Sequence, residues 1–241
     1  MKLITLNLWG GRIREPLFDF IKRYHDTDIF CFQEIYHHSP DKMSDNRLPP
    51  DLNVYTHLQE LLPNHQSFFR PVIKNIYGIG IFIKKEITVA EEGAFWIYEV
   101  ANYPGSGGDH SRNLQWIQCN IRGSMYTILN VHGLWTGKDK NDTPTRIIQS
   151  EKIKTFMDTV SSPKILCGDF NLNPDTTSIA MLETDMKNLI KRYNITSTRS
   201  AFYTKEGKFA DYIFVSPDVA VKNFKVLPDE VSDHSALLLD F

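Results

Sequence analysis

The chain has 241 residues, of which 41% are hydrophobic, 12% aromatic and 23% charged, a composition typical of a globular domain that buries a sizeable core. It excludes a disordered chain, a collagen-like repeat and a coiled coil. The 27 basic and 29 acidic residues give a net charge of −2. A protein that binds nucleic acid by charge alone needs an overall positive field, which this net charge excludes. A local basic groove is still compatible with it.

Eight runs rich in Ile, Val, Leu and aromatic residues predict β-strands. In chain order they span residues 2–9, 28–33, 76–83, 115–121, 126–131, 164–167, 212–216 and 236–240. Residues 29–32 and 165–167 are apolar throughout, which predicts central strands covered on both faces.

Three amphipathic segments between these runs predict helices. One has Pro16 at its first position, a second spans residues 51–62, and a third is capped by Thr143, starts at Pro144 and ends before residues 161–163. Several neighbouring strands have no helix between them, so we expect a layered α/β protein with two packed sheets. The chain has no long linker, and we therefore expect one domain, residues 1–241.

The three cysteines, Cys31, Cys119 and Cys167, are far apart and each lies in an apolar run. This pattern favours buried free thiols over disulfides or a zinc site. No apolar run approaches the roughly 20 residues of a membrane span, and the sequence after Met1 is strand-like rather than signal-like. We therefore expect a cytoplasmic protein without integral membrane association.

Polar residues stand at the ends of the apolar runs. They are Asn7, Glu34, His132, Asp169, Asn171, Asp211, Asp233 and His234. Ligand sites in α/β folds lie outside strand ends, so residues that are distant in sequence are expected to meet there.

This set holds four carboxylates, two histidines and two carboxamides. The sequence contains no HExxH, no CxxC and no glycine-rich phosphate loop. Hard oxygen ligands favour Mg²⁺ or Mn²⁺ over Zn²⁺, and Mg²⁺ commonly shares its coordination between a few carboxylates and a substrate phosphate. Phosphoester chemistry is the natural expectation.

Five segments carry a resemblance to a known family. They are Thr5-Leu6-Asn7-Leu8-Trp9, Phe32-Gln33-Glu34, Gly168-Asp169-Phe170-Asn171, Ala210-Asp211-Tyr212-Ile213-Phe214 and Ser232-Asp233-His234-Ser235. In this order they resemble the blocks of the endonuclease/exonuclease/phosphatase family of metal-dependent phosphoesterases, which includes deoxyribonuclease I. The resemblance implies a four-layer α/β/β/α sandwich, with two packed mixed sheets flanked by helices, and Mg²⁺- or Mn²⁺-dependent phosphoester hydrolysis.

The resemblance also implies roles for metal-binding residues. Glu34 resembles the principal metal ligand of the family, and Asn7 resembles the asparagine that supports the metal or its water. Asp233 is similar to a further ligand or a neighbouring acid.

The implied catalytic residues are Asp169, Asn171, Asp211, His234 and His132. Asp169 resembles the residue that activates the attacking water, and Asn171 the residue that holds the phosphate or the nucleophile. His234 resembles the histidine that contacts the scissile phosphate, with Asp211 orienting it and favouring its protonated form. His132 is similar to the histidine of the deoxyribonuclease, sphingomyelinase and deadenylase branches.

Substrate-binding candidates are less sharply defined. Arg112 falls where several branches of the family have a phosphate-clamping arginine, and Trp9 and Trp135 could stack on a base or line a leaving-group pocket, with core packing as the alternative. Lys138, Lys140 and Arg146 follow His132 and are expected on a solvated loop, with the edge of the cleft as the alternative.

We expect a monomeric Mg²⁺- or Mn²⁺-dependent phosphodiesterase or nuclease, with a phosphoester substrate such as a nucleic acid or nucleotide. Two alternatives stay open: a catalytically silent module that binds phosphate or nucleic acid, and a sphingomyelinase-like lipid phosphodiesterase. The segments that would choose the substrate match no pattern.

Overall fold

The computed structural model describes residues 1–40, 48–104 and 108–241. In these residues the strands are β1 (Lys2–Asn7), β2 (Ile29–Tyr36), β3 (His65–Ile73), β4 (Tyr77–Lys84), β5 (Val89–Tyr98), β6 (Arg112–Ile121), β7 (Ser124–His132), β8 (Lys164–Asp169), β9 (Lys187–Asn188), β10 (Asp211–Val215), β11 (Asn223–Val226) and β12 (Leu237–Asp240). The helices are α1 (Arg14–Arg23), α2 (Val54–Leu61), α3 (Pro144–Thr159), α4 (Thr177–Glu183) and α5 (Leu189–Arg192), with a 3₁₀ turn at Trp9–Gly11.

The strands form two six-stranded sheets. The first has the order β11-β12-β1-β2-β4-β3 and the second the order β5-β6-β7-β8-β10-β9. The β1–β2 and β7–β8 pairs are parallel and the other pairs are antiparallel, so both sheets are mixed. The apolar strands β2 and β8 lie inside their sheets, which confirms their predicted central positions.

The two sheets pack face to face, with helices outside. Side chains alternate along β1: Leu3 packs toward the second sheet, and Ile4 packs with Leu17 and Phe20 of α1. On the other side, α3 packs against the second sheet through residues such as Ile153. This is the four-layer α/β/β/α sandwich that the resemblance implied. All three cysteines are buried and free, as predicted.

The predicted strands and helices are present with small shifts at their ends. Four strands were not predicted, and all four form sheet edges; the two longer ones are β3 and β5. Both are partly exposed and contain residues that weaken a strand pattern, such as Pro71 in β3 and Gly93 in β5. Trp9 belongs to the 3₁₀ turn rather than to the first strand. Helices α4 and α5 were also missed, because each is only two turns or less.

A buried polar link joins the two sheets. Gln33 on β2 donates from Nε2 to Oδ1 of Asn130 on β7 at 2.7 Å. The Asn130 amide donates in turn to the carbonyl oxygens of Phe32 and Gly80, at 3.2 Å each. Buried amides need hydrogen-bond partners, so these bonds fix the position of one sheet relative to the other. Gln33 is one residue before Glu34, and Asn130 is two residues before His132.

Among the helices that the structure describes, none has the length and apolar character needed to cross a membrane.

Candidate active site

The second sheet brings three of the predicted catalytic residues side by side. In the parallel β7–β8 pair, His132 lies opposite Asp169. In the antiparallel β8–β10 pair, Asp211 lies opposite the same Asp169. Adjacent strand ends therefore place a histidine and two carboxylates in one row at the sheet edge, as the strand-end pattern predicted.

Gly168 allows β8 to approach β7 closely. Its φ is 131°, and a Cβ added there would lie 2.1 Å from the carbonyl oxygen of Val131. A side chain has no room at this position, and the backbone angle favours glycine. The glycine of the Gly-Asp-Phe-Asn segment thus sets the position of Asp169 relative to His132.

Glu34 reaches the site through an irregularity in β2. The pairing of β2 with β4 shifts register between Phe32 and Ile35, and Glu34 has a φ of 57°. A bulge of this kind redirects a side chain out of the regular alternation of a strand. Here it brings the Glu34 carboxylate to the edge of the first sheet, beside the end of β1.

Asn7 holds two carboxylates together. Its Nδ2 donates to Oε1 of Glu34 at 3.0 Å and to Oδ2 of Asp169 at 2.9 Å. Its Oδ1 accepts from the backbone N–H of Trp9 at 2.9 Å, which fixes the orientation of the amide. Asn7 therefore presents its nitrogen, rather than its oxygen, to the carboxylates.

Both predicted histidines face Oδ2 of Asp169. Nε2 of His132 lies 3.8 Å from this oxygen and 3.8 Å from Oε1 of Glu34. Nε2 of His234 lies 3.6 Å from the same Asp169 oxygen. Two imidazoles and two carboxylates, from both sheets, thus converge on one small volume.

Asp211 orients His234, as predicted. Nδ1 of His234 donates to both carboxylate oxygens of Asp211 at 2.9 Å, and Oγ1 of Thr198 donates to Oδ2 of Asp211 at 3.0 Å. These bonds fix the tautomer, so Nε2 faces Asp169.

The expected protonation of His234 is opposed by its surroundings. Burial, and next the positive charge of Arg199, lower the pKa of His234 to about 4. Burial also raises the pKa of Asp211 to about 6. Nε2 of His234 is hydrogen-bonded by Nη1 of Arg199, as expected for a neutral imidazole whose Nδ1 carries the proton.

Asn171 and Asp233, the remaining catalytic and metal-binding candidates, also lie at this edge. The backbone N–H of Asn171 donates to Oδ1 of Asp169 at 2.9 Å, and its Nδ2 donates to the Gly133 carbonyl at 3.2 Å. Oδ1 of Asp233 lies 3.8 Å from Nε2 of His234. This Asp233 oxygen is buried and has no hydrogen-bond partner among the residues that the structure describes.

Arg112 is buried beside the carboxylates. It is 2% exposed, and its Nη2 donates to the Gly108 carbonyl at 3.0 Å. Its Nε and Nη1 have no hydrogen-bond partner within the described ranges, and its charge acts on Glu34 and Asp169. Unsatisfied guanidinium donors beside a phosphoesterase-like cluster suit an anionic ligand.

The two tryptophan candidates are half-buried. Trp9 follows Asn7 closely, and the Arg12 guanidinium lies 5.4 Å from its ring centroid. Trp135 lies close to Gly108, where an added Cβ would be 3.0 Å from its Cδ1, and the Lys205 ammonium lies 5.2 Å from its ring centroid. Trp135 is thus near the backbone group that accepts from the Arg112 guanidinium.

Two basic residues were misjudged from the sequence. Lys140 is 5% exposed, and its Nζ donates to the Phe209 carbonyl at 2.8 Å. Arg146 is fully buried and donates to the carbonyls of Leu134, Asp139 and Asn141, so it holds the loop after β7. The expected solvated loop is therefore wrong for both residues, and only Lys138 of the three is exposed.

Arg199 is a site residue that the sequence analysis missed. Its side chain is 7% exposed, its Nη1 bonds to His234, and it lies 3.8 Å from Oδ2 of Asp233. It belongs to a segment with no recognisable motif, and its place depends on an isolated β-bridge between Arg199 and His234. In the sequence, the only feature that pointed to Arg199 was its position shortly before the Ala210–Phe214 segment.

The donors present fit a hard divalent cation. Glu34, Asp169 and Asp233 converge, and burial followed by the charge of Asp233 raises the pKa of Glu34 to about 7. Within the described residues, the ligand atoms of Asp169, Asp211 and His234 also lie within 4.8 Å of one another. Clustered buried carboxylates are costly without a compensating charge, and oxygen donors suit Mg²⁺ or Mn²⁺.

Known proteins share this architecture. A mannosyl-6-phosphatase from Bacteroides thetaiotaomicron is 22% identical, with a TM-score of 0.75, and the match covers 100% of this chain and 98% of that one. The human Nocturnin catalytic domain with bound sulfate is 17% identical, with a TM-score of 0.69 and coverage of 99% and 92%. D. rerio TDP2 complexed with a single-strand DNA product is 15% identical, with a TM-score of 0.73 and coverage of 99% and 97%. At these identities the likeness shows the fold.

No curated protein gives a significant sequence match. The family model for the endonuclease/exonuclease/phosphatase family, whose members are phosphoester hydrolases, matches residues 4–234. These residues run from β1 to the candidate phosphate-binding histidine, His234. The chain therefore belongs to the endonuclease/exonuclease/phosphatase family.

Proposed function

We propose that the protein is a Mg²⁺- or Mn²⁺-dependent phosphodiesterase in which water attacks phosphorus in line. The observation that carries this proposal is the position of Asp169 Oδ2, which lies 3.8 Å from His132 Nε2 and 3.6 Å from His234 Nε2. A water-activating carboxylate facing two imidazoles, beside a second carboxylate, provides the base and the phosphate contacts that such hydrolysis needs.

Glu34 is the proposed metal ligand, with Asp233 as a further ligand. Asn7 supports the site by holding the Glu34 and Asp169 carboxylates in place. When bound, the cation supplies Lewis-acid stabilisation of charge on the phosphoryl oxygens.

Asp169 is the proposed general base. Its Oδ1 is held by the N–H of Asn171 and its Oδ2 by Asn7, so its orientation is fixed before a substrate arrives. His132 is placed to contact the phosphate or the leaving oxygen through Nε2, and His234 holds the Arg199 guanidinium, bonded to its Nε2, at the proposed phosphate position. Arg112 supplies unsatisfied buried donors for a phosphoryl oxygen.

The substrate class is a phosphodiester, with a nucleic acid or nucleotide as the leading candidate. The half-buried rings of Trp9 and Trp135 at the edge of the site suit stacking on a base. TDP2 is one structural neighbour with a DNA product bound. We propose that the enzyme acts as a monomer in the cytoplasm, where its free thiols stay reduced.

The test compares bis(p-nitrophenyl) phosphate, p-nitrophenyl phosphate, single-stranded RNA and single-stranded DNA as substrates. Each is incubated with Mg²⁺, with Mn²⁺ or with EDTA, and Glu34→Ala serves as the control. We expect diester turnover that requires metal and is lost in Glu34→Ala. Turnover of the monoester alone would replace the proposal with a phosphatase.

Absence of turnover on every substrate would favour the silent binding module. Vesicles that contain sphingomyelin provide the remaining arm, because phosphocholine release from them would identify a lipid phosphodiesterase. The first result would contradict the proposed function, and the second would replace nucleic acid with a lipid as the substrate.

A further inference from the structure

We propose that Arg199, with Lys140 beside it, forms a phosphate-binding subsite at the His234 edge of the active site. The inference rests on the proposed function and extends it, because neither residue belongs to the family motifs. The ligand class is a phosphoryl oxyanion.

The Arg199 guanidinium lies against the imidazole of His234. Nη1 of Arg199 contacts Nε2 of His234, the imidazole atom that faces Asp169 and the proposed phosphate position. Arg199 therefore brings a permanent positive charge to the point where a phosphoryl oxygen would meet the imidazole. An arginine provides several planar N–H donors that match phosphate oxygens.

The Arg199 guanidinium is buried, and its hydrogen-bond donors are not all satisfied. Nε of Arg199 is inaccessible and has no hydrogen-bond partner among the described residues, and the ion pair with Asp233 is loose at 3.8 Å. Nearly all buried donors in native proteins have partners, so an orphaned guanidinium donor beside a catalytic site indicates a ligand. The ring of Tyr203, 4.1 Å from the guanidinium carbon, supports the group in place.

A second buried cation, Lys140, lies over the same Tyr203 ring as Arg199. Lys140 lies near enough to Arg199 for their charges to repel, and burial together with this repulsion lowers the pKa of Lys140 to about 8. Only one hydrogen bond of its ammonium is described, to the Phe209 carbonyl. Two buried cations that converge are costly, and an anion between them relieves that cost.

The backbone holds this subsite rigidly. Residues 199 and 234 form a β-bridge, and the N–H of Thr198 donates to the Lys208 carbonyl at 2.8 Å. Oγ1 of Thr198 donates to Asp211, the partner of His234. The segment that carries Arg199 is thus fastened to the same carboxylate that orients the imidazole.

The experiment is calorimetric titration of inorganic phosphate into the full-length protein treated with EDTA, at constant ionic strength. The variants are Arg199→Gln, Arg199→Lys and Lys140→Met, and Lys208→Gln is the matched control because Lys208 is exposed in the same segment. We expect phosphate to bind the wild type and Lys208→Gln equally. We expect Arg199→Gln to weaken binding about tenfold or more, with smaller losses in the other two variants.

Equal phosphate affinity in the wild type and Arg199→Gln, or no binding to the wild type, would overturn the subsite. If circular dichroism shows that Arg199→Gln does not fold, the phosphate affinities of Arg199→Lys and Lys140→Met are compared with that of the wild type instead. Affinities equal to the wild type in both variants would then overturn the subsite. Metal-free phosphate binding is independent of turnover. Binding that depends on Arg199 without hydrolysis of any substrate would therefore refute the proposed function alone, and hydrolysis without such binding would refute the subsite alone.

Discussion

Nδ2 of Asn7 donates a hydrogen bond of 2.9 Å to Oδ2 of Asp169, and the two residues are 162 positions apart. Asn7 ends a strand of the first sheet and Asp169 ends a strand of the second. The bond therefore crosses the interface between the sheets, and the geometry of the active site depends on how the two sheets pack.

Replacing Asn7 with alanine should lower kcat/KM about 10- to 100-fold, the range found when a residue that orients metal ligands is removed. Without the amide, the carboxylates of Glu34 and Asp169 lose their shared donor and repel each other. Steady-state kinetics on a phosphodiester with Mn²⁺ measures the effect. Asn120→Ala, at an exposed position of β6, is the control and should keep full activity. Equal activity of the two variants would contradict the role assigned to Asn7.

Metal affinity should fall as the pH drops below about 7. The pKa of Glu34 is raised to about 7 in the metal-free protein, and its carboxyl must lose its proton to bind a cation. Above pH 7 the proton no longer competes, and below it each pH unit should weaken binding by up to about tenfold. Calorimetric titration of Mn²⁺ between pH 5.5 and 8.5 measures this. Glu34→Gln should bind weakly with a flatter pH profile, and an unchanged wild-type affinity from pH 6 to 8 would refute the prediction.

Gly168→Ala should destabilise the fold by more than about 2 kcal/mol. The new Cβ would lie 2.1 Å from the Val131 carbonyl oxygen at a φ of 131°, so β7 and β8 would have to separate. Urea unfolding followed by tryptophan fluorescence gives the free energy of unfolding. Gly123→Ala is the matched control, because Gly123 also has a positive φ but has nothing within 4 Å of an added Cβ. A loss in Gly168→Ala no larger than in the control would contradict the close approach.

Stability should decline as the pH falls below about 6.5, the ordinary pKa of histidine. Burial lowers the pKa of His65, whose Nε2 donates to the Thr27 carbonyl at 2.8 Å and whose Nδ1 is buried with no partner among the described residues. Its folded pKa is below its unfolded one, so the unfolded state takes up the proton first. The stabilisation is complete above the unfolded pKa and is lost as the pH falls toward the folded one.

Free energies of unfolding measured from pH 7.5 to 5 should show this decline, with a smaller slope in His65→Gln. His25→Gln, at an exposed position, should retain the wild-type slope. Identical slopes in all three proteins would contradict the buried, neutral state of His65.

The sequence predicted much of the site because polar residues that follow apolar strands meet at a sheet edge. Asn7, His132 and Asp169 were found in this way; strand register pairs His132 with Asp169, and the packing of the two sheets adds Asn7. Glu34 was found both at the end of its apolar run and by its motif, but its geometry depends on a bulge that has no clear sequence signal.

Residues placed by tertiary contacts could not be found from local pattern. Lys140 and Arg199 lie in irregular segments, and their burial depends on the Phe209 carbonyl and on His234, 69 and 35 positions away. The same holds for the neutral state of His234, since its pKa depends on Arg199, a neighbour that only the fold reveals.

The most direct test of the account is the rate of bis(p-nitrophenyl) phosphate hydrolysis by Asp169→Asn, with Mn²⁺ binding and circular dichroism measured on the same sample. We expect a folded protein that still binds Mn²⁺ and hydrolyses the diester about 100- to 10,000-fold more slowly, the range for loss of a general base. A folded, Mn²⁺-binding Asp169→Asn that retains the wild-type rate would contradict it.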